Sequence, residues 1–240
     1  MSRPNYFNNV HKAVRAGLFE LGLQVARTDF GDPAAAAASA RSVVELMDFL
    51  DEHAEHEQRF VFPELATFAP DLAAELETEH LRMDVVQSKI RSLAHRAHGS
   101  ASRSDREAAG RSLARALALL IGDQLRHLDR EETEANAAAW ANRTDAEIAQ
   151  IQARAQAAMS PETRDRFARR ILPALNVGEQ VELLAGARRN LPGSAFGALV
   201  GLAREVLGPD RWVTLARRFW DQPGRRTTQA NPVARRATRG

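Results

Sequence analysis

The sequence predicts an all-α protein: an up-down four-helix bundle with an appended C-terminal helical subdomain. Three observations predict it. Apolar residues recur at steps of three and four along most of the chain, no run alternates apolar and polar residues with β-branched enrichment, and the Gly/Pro punctuation is widely spaced. The 240 residues can bury a core in one or two domains, and 44% hydrophobic with 27% charged residues excludes a wholly disordered chain.

The spacing places four long helices at about 5–28, 33–62, 71–98 and 105–138. They are separated by Thr28-Asp-Phe-Gly-Asp-Pro33, by Phe62-Pro63 through Pro70, and by Gly99 through Ser104. Asp32 before Pro33 reads as an N-cap followed by a first-turn proline, and Asp71 and Asp105 read as starts of the third and fourth helices. Shorter amphipathic segments follow at about 145–158, 161–175, 179–190, 194–207 and 209–220, punctuated by Ser160-Pro161-Glu162 and Gly208-Pro209-Asp210. The expected organisation is a bundle over 1–142, a helical extension over 143–221 and a basic, disordered tail over 222–240.

Composition limits the chemistry. No cysteine is present, which removes disulfides, thiolate zinc sites, iron–sulfur ligation and a cysteine nucleophile. Any metal must be held by histidine and carboxylate. The opening residues lack the apolar core of a secretory signal and no segment approaches the ~20 apolar residues of a membrane helix, so the expected location is cytoplasmic, without a membrane partner. The tail carries Arg225, Arg226, Arg235, Arg236 and Arg239 and no acid, against a net charge of +2 for the whole chain. With no aromatic residues interleaved for base stacking, it reads as a solubilising terminus and nucleic acid is not the expected partner.

The apolar stripe of each long helix contains one histidine. The first runs His11, Val14, Leu18, Leu21, Val25; the second Val43, Leu46, Leu50, His53, Glu57, Phe60. The third runs Leu76, His80, Met83, Val86, Ile90, Leu93, and the fourth Leu113, Leu117, Leu120, Gln124, His127, Glu131, Glu134. Taken singly, each histidine is more simply a hydrogen-bonded core residue. Their levels argue further. His11 lies 18 residues from Asp29, His53 20 from Pro33, His80 19 from Gly99 and His127 23 from Ser104. In an antiparallel bundle these fall within roughly one and a half turns of one another.

Burying four imidazoles and two carboxylates together without a partner costs several kcal/mol per group, in round terms, and a bound cation removes that cost. The i, i+4 spacing stacks His53 on Glu57 and His127 on Glu131, so each pair can grip one ion or adjacent ions. Imidazole with carboxylate and no thiolate suits iron, manganese or zinc.

With those residues in view, the chain resembles the hemerythrin-like family of HHE cation-binding domains. The resemblance is carried by His11, by His53-Ala-Glu-His-Glu-Gln-Arg-Phe-Val-Phe-Pro63, by Glu79-His80 and by His127-Leu-Asp-Arg-Glu-Glu132, within about residues 5–138. It implies a non-haem di-iron site with His11, His53, His80 and His127 as terminal ligands and Glu57 and Glu131 as carboxylates, expected to bridge. Manganese or a mixed pair is compatible with the same donors. The later helices resemble an extension found in bacterial members.

Oxygen-carrying members have a further histidine one turn from that of the third helix, whereas His80 is flanked at those positions by Leu76 and Asp84. One iron is then expected to be less saturated, or Asp84 or Glu77 to substitute, which favours oxygen activation, peroxide chemistry or sensing over storage. Glu134 is placed either on the cavity or in water. His56 reads as a surface or supporting residue, His95 and His98 as helix C-terminal cations, Tyr6 as a core or cap residue, and Gln124 as the residue supporting the ligands. Phe49, Phe60, Met83 and Leu120 are expected to wall the site.

Three functions compete: a di-iron sensor or carrier of dioxygen, nitric oxide, peroxide or iron; a di-iron oxidase or oxygenase acting on a small molecule under a lid of C-terminal helices; and a helical scaffold with satisfied histidines. The first is the leading expectation.

Overall fold

A computed structural model describes residues 3–220; the basic tail read from the sequence lies outside the described residues. Every regular element among them is helical. The chain divides into two compact units, Met1–Ser160 and Pro161–Gly240.

In the first unit, α1 (Asn8–Arg27), α2 (Pro33–Phe60), α4 (Pro70–Gly99) and α5 (Arg103–Arg130) form the antiparallel bundle, with α2 on α4, α4 on α5, and α1 on both α2 and α5. Asp32 caps α2, its carboxylate accepting from the Ala34 N–H at 2.8 Å ahead of Pro33. The starts expected at Asp71 and Asp105 are corrected. Both are first-turn acids, α4 begins after Ala69 without a side-chain cap, and Ser102 caps α5 by accepting the Asp105 N–H at 3.2 Å.

The second helix ends two residues earlier than expected, and the segment assigned to a turn holds the short α3 (Phe62–Ala66). Pro63 explains both. It has no N–H to continue the α2 ladder, but it suits the first turn of a new helix. The fourth helix also departs from regularity. It passes through a π-helical turn, Glu131–Ala135, where the Asn136 N–H reaches back to the Glu131 carbonyl, and resumes as α6 (Asn136–Asn142).

Arg106 fixes the far end of the bundle. Its buried guanidinium donates to the carbonyls of Phe30 and Gly31 in the α1–α2 turn, at 3.3 and 2.9 Å, and of Ser100 and Ala101 in the α4–α5 turn, at 3.1 and 3.0 Å. Both turns are thereby held at one level, which sets the register of the helices that leave them. Between that end and the histidines the core is Val14, Leu18, Leu21, Leu46, Leu50, Ile90, Leu113, Leu117 and Leu120. At the near end a second apolar cluster of Phe7, Phe62, Leu65, Ala73, Leu76 and Ala135 closes the bundle. The N-terminal segment is tied there by Trp140, whose indole N–H donates to the Pro4 carbonyl at 2.8 Å.

Helix α7 (Asp145–Ala158) belongs to this unit. Ile148 and Ile151 are buried, and Gln152 donates to the Asn5 carbonyl at 2.7 Å. A capping box at Thr144 and Glu147 starts it.

The second unit contains α8 (Pro161–Ala174), α9 (Val177–Asn190) and α10 (Gly193–Trp220). Leu172, Val181, Leu184, Phe196, Leu207, Trp212, Leu215 and Phe219 make its core. Gly208, at φ 69°, breaks α10 before Pro209, a left-handed conformation that glycine adopts without steric cost. No described helix is long and apolar enough to cross a membrane.

Candidate metal centre

The π turn and the bundle register determine what gathers between the helices. His11 from α1, His53 and Glu57 from α2, His80 from α4, His127 from α5 and Glu131 from the π turn are all buried, none more than 4% exposed. They form two overlapping groups whose donor atoms lie within 4.8 Å of one another: His11, His53, Glu57 and Glu131, and Glu57, His80, His127 and Glu131.

Each carboxylate faces both groups. Glu57 Oε1 lies 3.4 Å from His11 Nε2 and 3.3 Å from His53 Nε2, while its Oε2 lies 3.6 Å from His80 Nε2. Glu131 Oε2 lies 3.3 Å from His11 Nε2 and its Oε1 3.3 Å from His127 Nε2. His80 Nε2 and His127 Nε2 are 2.8 Å apart. All four imidazoles thus present Nε2 inward.

The donor set fits a metal. Several of these atoms are buried without a hydrogen-bond partner, namely His53 Nε2, Glu57 Oε2 and both Glu131 oxygens. Orphaned buried acceptors are costly unless a cation meets them. Separations near 3 Å are also what donors on one ion show when each bond is about 2.1 Å.

Electrostatics are set by burial and by close opposite charge. Burial works against protonation of His11, but Glu131, Glu132 and Glu57 outweigh it and push its pKa up to about 10. Burial likewise opposes the His127 cation, and Glu131, Glu57 and Glu79 raise it to about 9. Burial pulls His53 well below the ordinary range, assisted by the His11 cation, and takes His80 to about 4 with help from His127. Burial and the Glu131 charge push Glu57 up to about 7. Glu131 resists burial because His11 and His127 hold its carboxyl well below the usual range.

Residues missed in the sequence surround this set. Phe7 stacks on His11, with centroids 5.0 Å apart, and Phe62 lies 5.0 Å from His80. Glu132 accepts from His11 Nδ1 at 2.9 Å, and Glu79 from His127 Nδ1 at 2.7 Å. The support expected from Gln124 is thus found at Glu132 and Glu79; Gln124 is buried with its carbonyl oxygen unpartnered. The signal available was the acid beside a picked residue, Glu79 before His80 and Glu132 after Glu131.

Of the expected wall residues, Phe49, Met83 and Leu120 are buried, whereas Phe60 is half-buried beside His56, under the Arg59 guanidinium. Asp84 and Glu77, considered as substitute ligands, are exposed because both lie off the buried face of α4. Glu134 faces solvent and pairs with Arg130 at 3.0 Å. Tyr6 is half-buried, its hydroxyl without a hydrogen-bond partner, and its ring meets the edge of Phe7. His56 contacts the Ala155 carbonyl through Nε2 at 3.2 Å. His95 and His98 are exposed near the C-terminus of α4.

A four-helix bundle with a buried His/Glu chamber between its helices defines a class of cation-binding bundle proteins. The hemerythrin HHE cation-binding domain model matches residues 5–139, and the chain belongs to this family. No curated protein and no solved structure matches the chain. The buried His/Glu groups of the domain are consistent with a metal-binding site.

Proposed function

We propose that the protein is a non-haem dimetal carboxylate protein that binds dioxygen, nitric oxide or peroxide as a sensor or carrier, with two iron ions as its native metals. The observation that carries this reading is the division of each glutamate: one oxygen of Glu57 and of Glu131 faces His11 or His53, and the other faces His80 or His127. Carboxylates split in this way are arranged to bridge. In this reading His11 and His53 would hold one ion, His80 and His127 the other, and Glu57 and Glu131 would be shared between them. Manganese or a mixed pair suits the same nitrogen and oxygen donors.

Bound iron supplies open coordination positions and redox electrons for a small ligand. The chain supplies the rest. Two imidazoles and two carboxylates around each ion would leave room for a small ligand beside the protein's own donors. Phe7 stacks on His11, Phe62 lies against His80, and Leu50 and Met83 are buried one turn from His53 and His80, apolar surroundings that limit water around the donors. Deep burial of all six residues favours a small ligand over a large substrate.

The test is metal analysis of the purified protein together with the optical spectrum of its reduced form before and after dioxygen, nitric oxide or peroxide. The expected result is about two ions per chain and a stable, reversible spectral change. A metal-free protein, or a spectrum indifferent to all three ligands, overturns the reading.

A further inference from the structure

The outer nitrogens of two imidazoles are occupied in the same way by two carboxylates that belong to different helices. His11 Nδ1 meets Glu132 Oε1 at 2.9 Å, and Arg15 clamps that carboxylate through both oxygens, at 2.7 and 3.0 Å. His127 Nδ1 meets Glu79 Oε2 at 2.7 Å, and Arg130 holds the other oxygen at 2.6 Å while also binding Glu75 and Glu134. One such pair falls in each of the two donor groups. His80 has no equivalent, since its Nδ1 is buried without a partner.

We infer that Glu132 and Glu79 are positioning residues, one for each metal ion, which hold His11 and His127 with Nε2 turned inward. This rests on the dimetal reading of the chamber. An ionised carboxylate can only accept, so the proton it binds must sit on Nδ1 and the lone pair of the neutral ring must sit on Nε2. The inward Nε2 atoms are those that lie 3.3 Å from Glu131 on either side. The arginine on each carboxylate fixes its rotamer, and so the plane of the ring it supports. The two glutamates are about a quarter exposed while their histidines are buried, so these contacts link the chamber to the surface of the bundle.

The experiment titrates cobalt(II) into the metal-free full-length protein, following visible absorption, with a competing chelator to obtain affinities. Glu132→Ala is expected to weaken one of the two bound ions by about 10- to 100-fold and leave the other near its original affinity; Glu79→Ala is expected to weaken the other, and the double variant both. Gln at either position keeps an acceptor for Nδ1 but loses the charge, and should restore part of the loss. Glu134→Gln touches the same Arg130 without touching an imidazole, and should bind cobalt(II) as the parent does. Parental affinity in either Ala variant, or an equal loss in Glu134→Gln, overturns the assignment. Failure of the underlying reading is separately visible, because His53→Ala and Glu131→Ala would then bind cobalt(II) as the parent does.

Discussion

Glu131 and Glu132 are adjacent in sequence yet contact opposite edges of one imidazole: Glu131 Oε2 lies 3.3 Å from His11 Nε2, and Glu132 Oε1 lies 2.9 Å from His11 Nδ1. A regular helix would separate successive side chains by 100°, and turning one of them inward would send the next away. The pair shows that offset: Glu131, buried, meets the inner edge of the ring, and Glu132, partly exposed, meets its outer edge. The regular bond from the Glu131 N–H back to the His127 carbonyl, made before the π turn, places Glu131 between His127 and His11.

Replacing a residue that faces the chamber should cost metal. His53→Ala and Glu131→Ala are each expected to lower bound metal from about two ions per chain to one or fewer, measured by elemental analysis after desalting. Full occupancy in both variants would remove the proposed site.

Metal removal should lower thermal stability. An ion that binds the folded chamber and not the unfolded chain adds about 2.7 kcal/mol when its free concentration is a hundred times its Kd. Treatment with a chelator is expected to lower the Tm by several degrees, and excess iron(II) or manganese(II) should restore it. An unchanged Tm, with metal loss verified, contradicts the idea that cations meet the orphaned acceptors of His53, Glu57 and Glu131.

Loss of the Arg106 guanidinium should loosen the far end of the bundle. Arg106→Met keeps most of the aliphatic stem but abandons four carbonyls in two turns. Charged hydrogen bonds contribute about 1.5–3 kcal/mol each, and water regains part of that at a turn, so a net loss of about 3 kcal/mol is expected in urea unfolding. A change below 0.5 kcal/mol, on the order of an ordinary surface substitution, would mean that the turns hold their level without it.

Gly110 tests a close approach. A Cβ there would sit 2.2 Å from Phe30 Cδ2 and 2.4 Å from Cγ. Alanine gains about 1 kcal/mol of helix propensity over glycine, but overpacking costs about 1–3 kcal/mol and the ring cannot yield near its own root. Gly110→Ala should therefore be destabilised on balance, seen as a lower urea midpoint at unchanged slope. A stabilised variant would show that Phe30 moves freely.

The helical reading was legible because seam residues repeat at helical spacing, and the six chamber residues were legible as a set because one histidine per stripe falls at a common distance from the turns. The structure brings the donor atoms of those six together in two groups. The support contacts were not legible. Gln124 sits on the apolar stripe where a partner was sought, whereas Glu79 and Glu132 sit beside the stripe and reach the imidazoles across a helix–helix boundary. Phe62 was assigned to a turn because Pro63 marks a break, and the break itself opens the short helix that seats Phe62 near His80.

By itself, then, the sequence determined helix, stripe and donor chemistry, because these follow from local periodicity and from which side chains the chain possesses. Tertiary structure decided which oxygen of Glu57 and Glu131 faces which imidazole, which carboxylates back His11 and His127, and where the last helix departs from regular winding. Those depend on the angular offset between neighbouring helices, which the packing of distant segments sets.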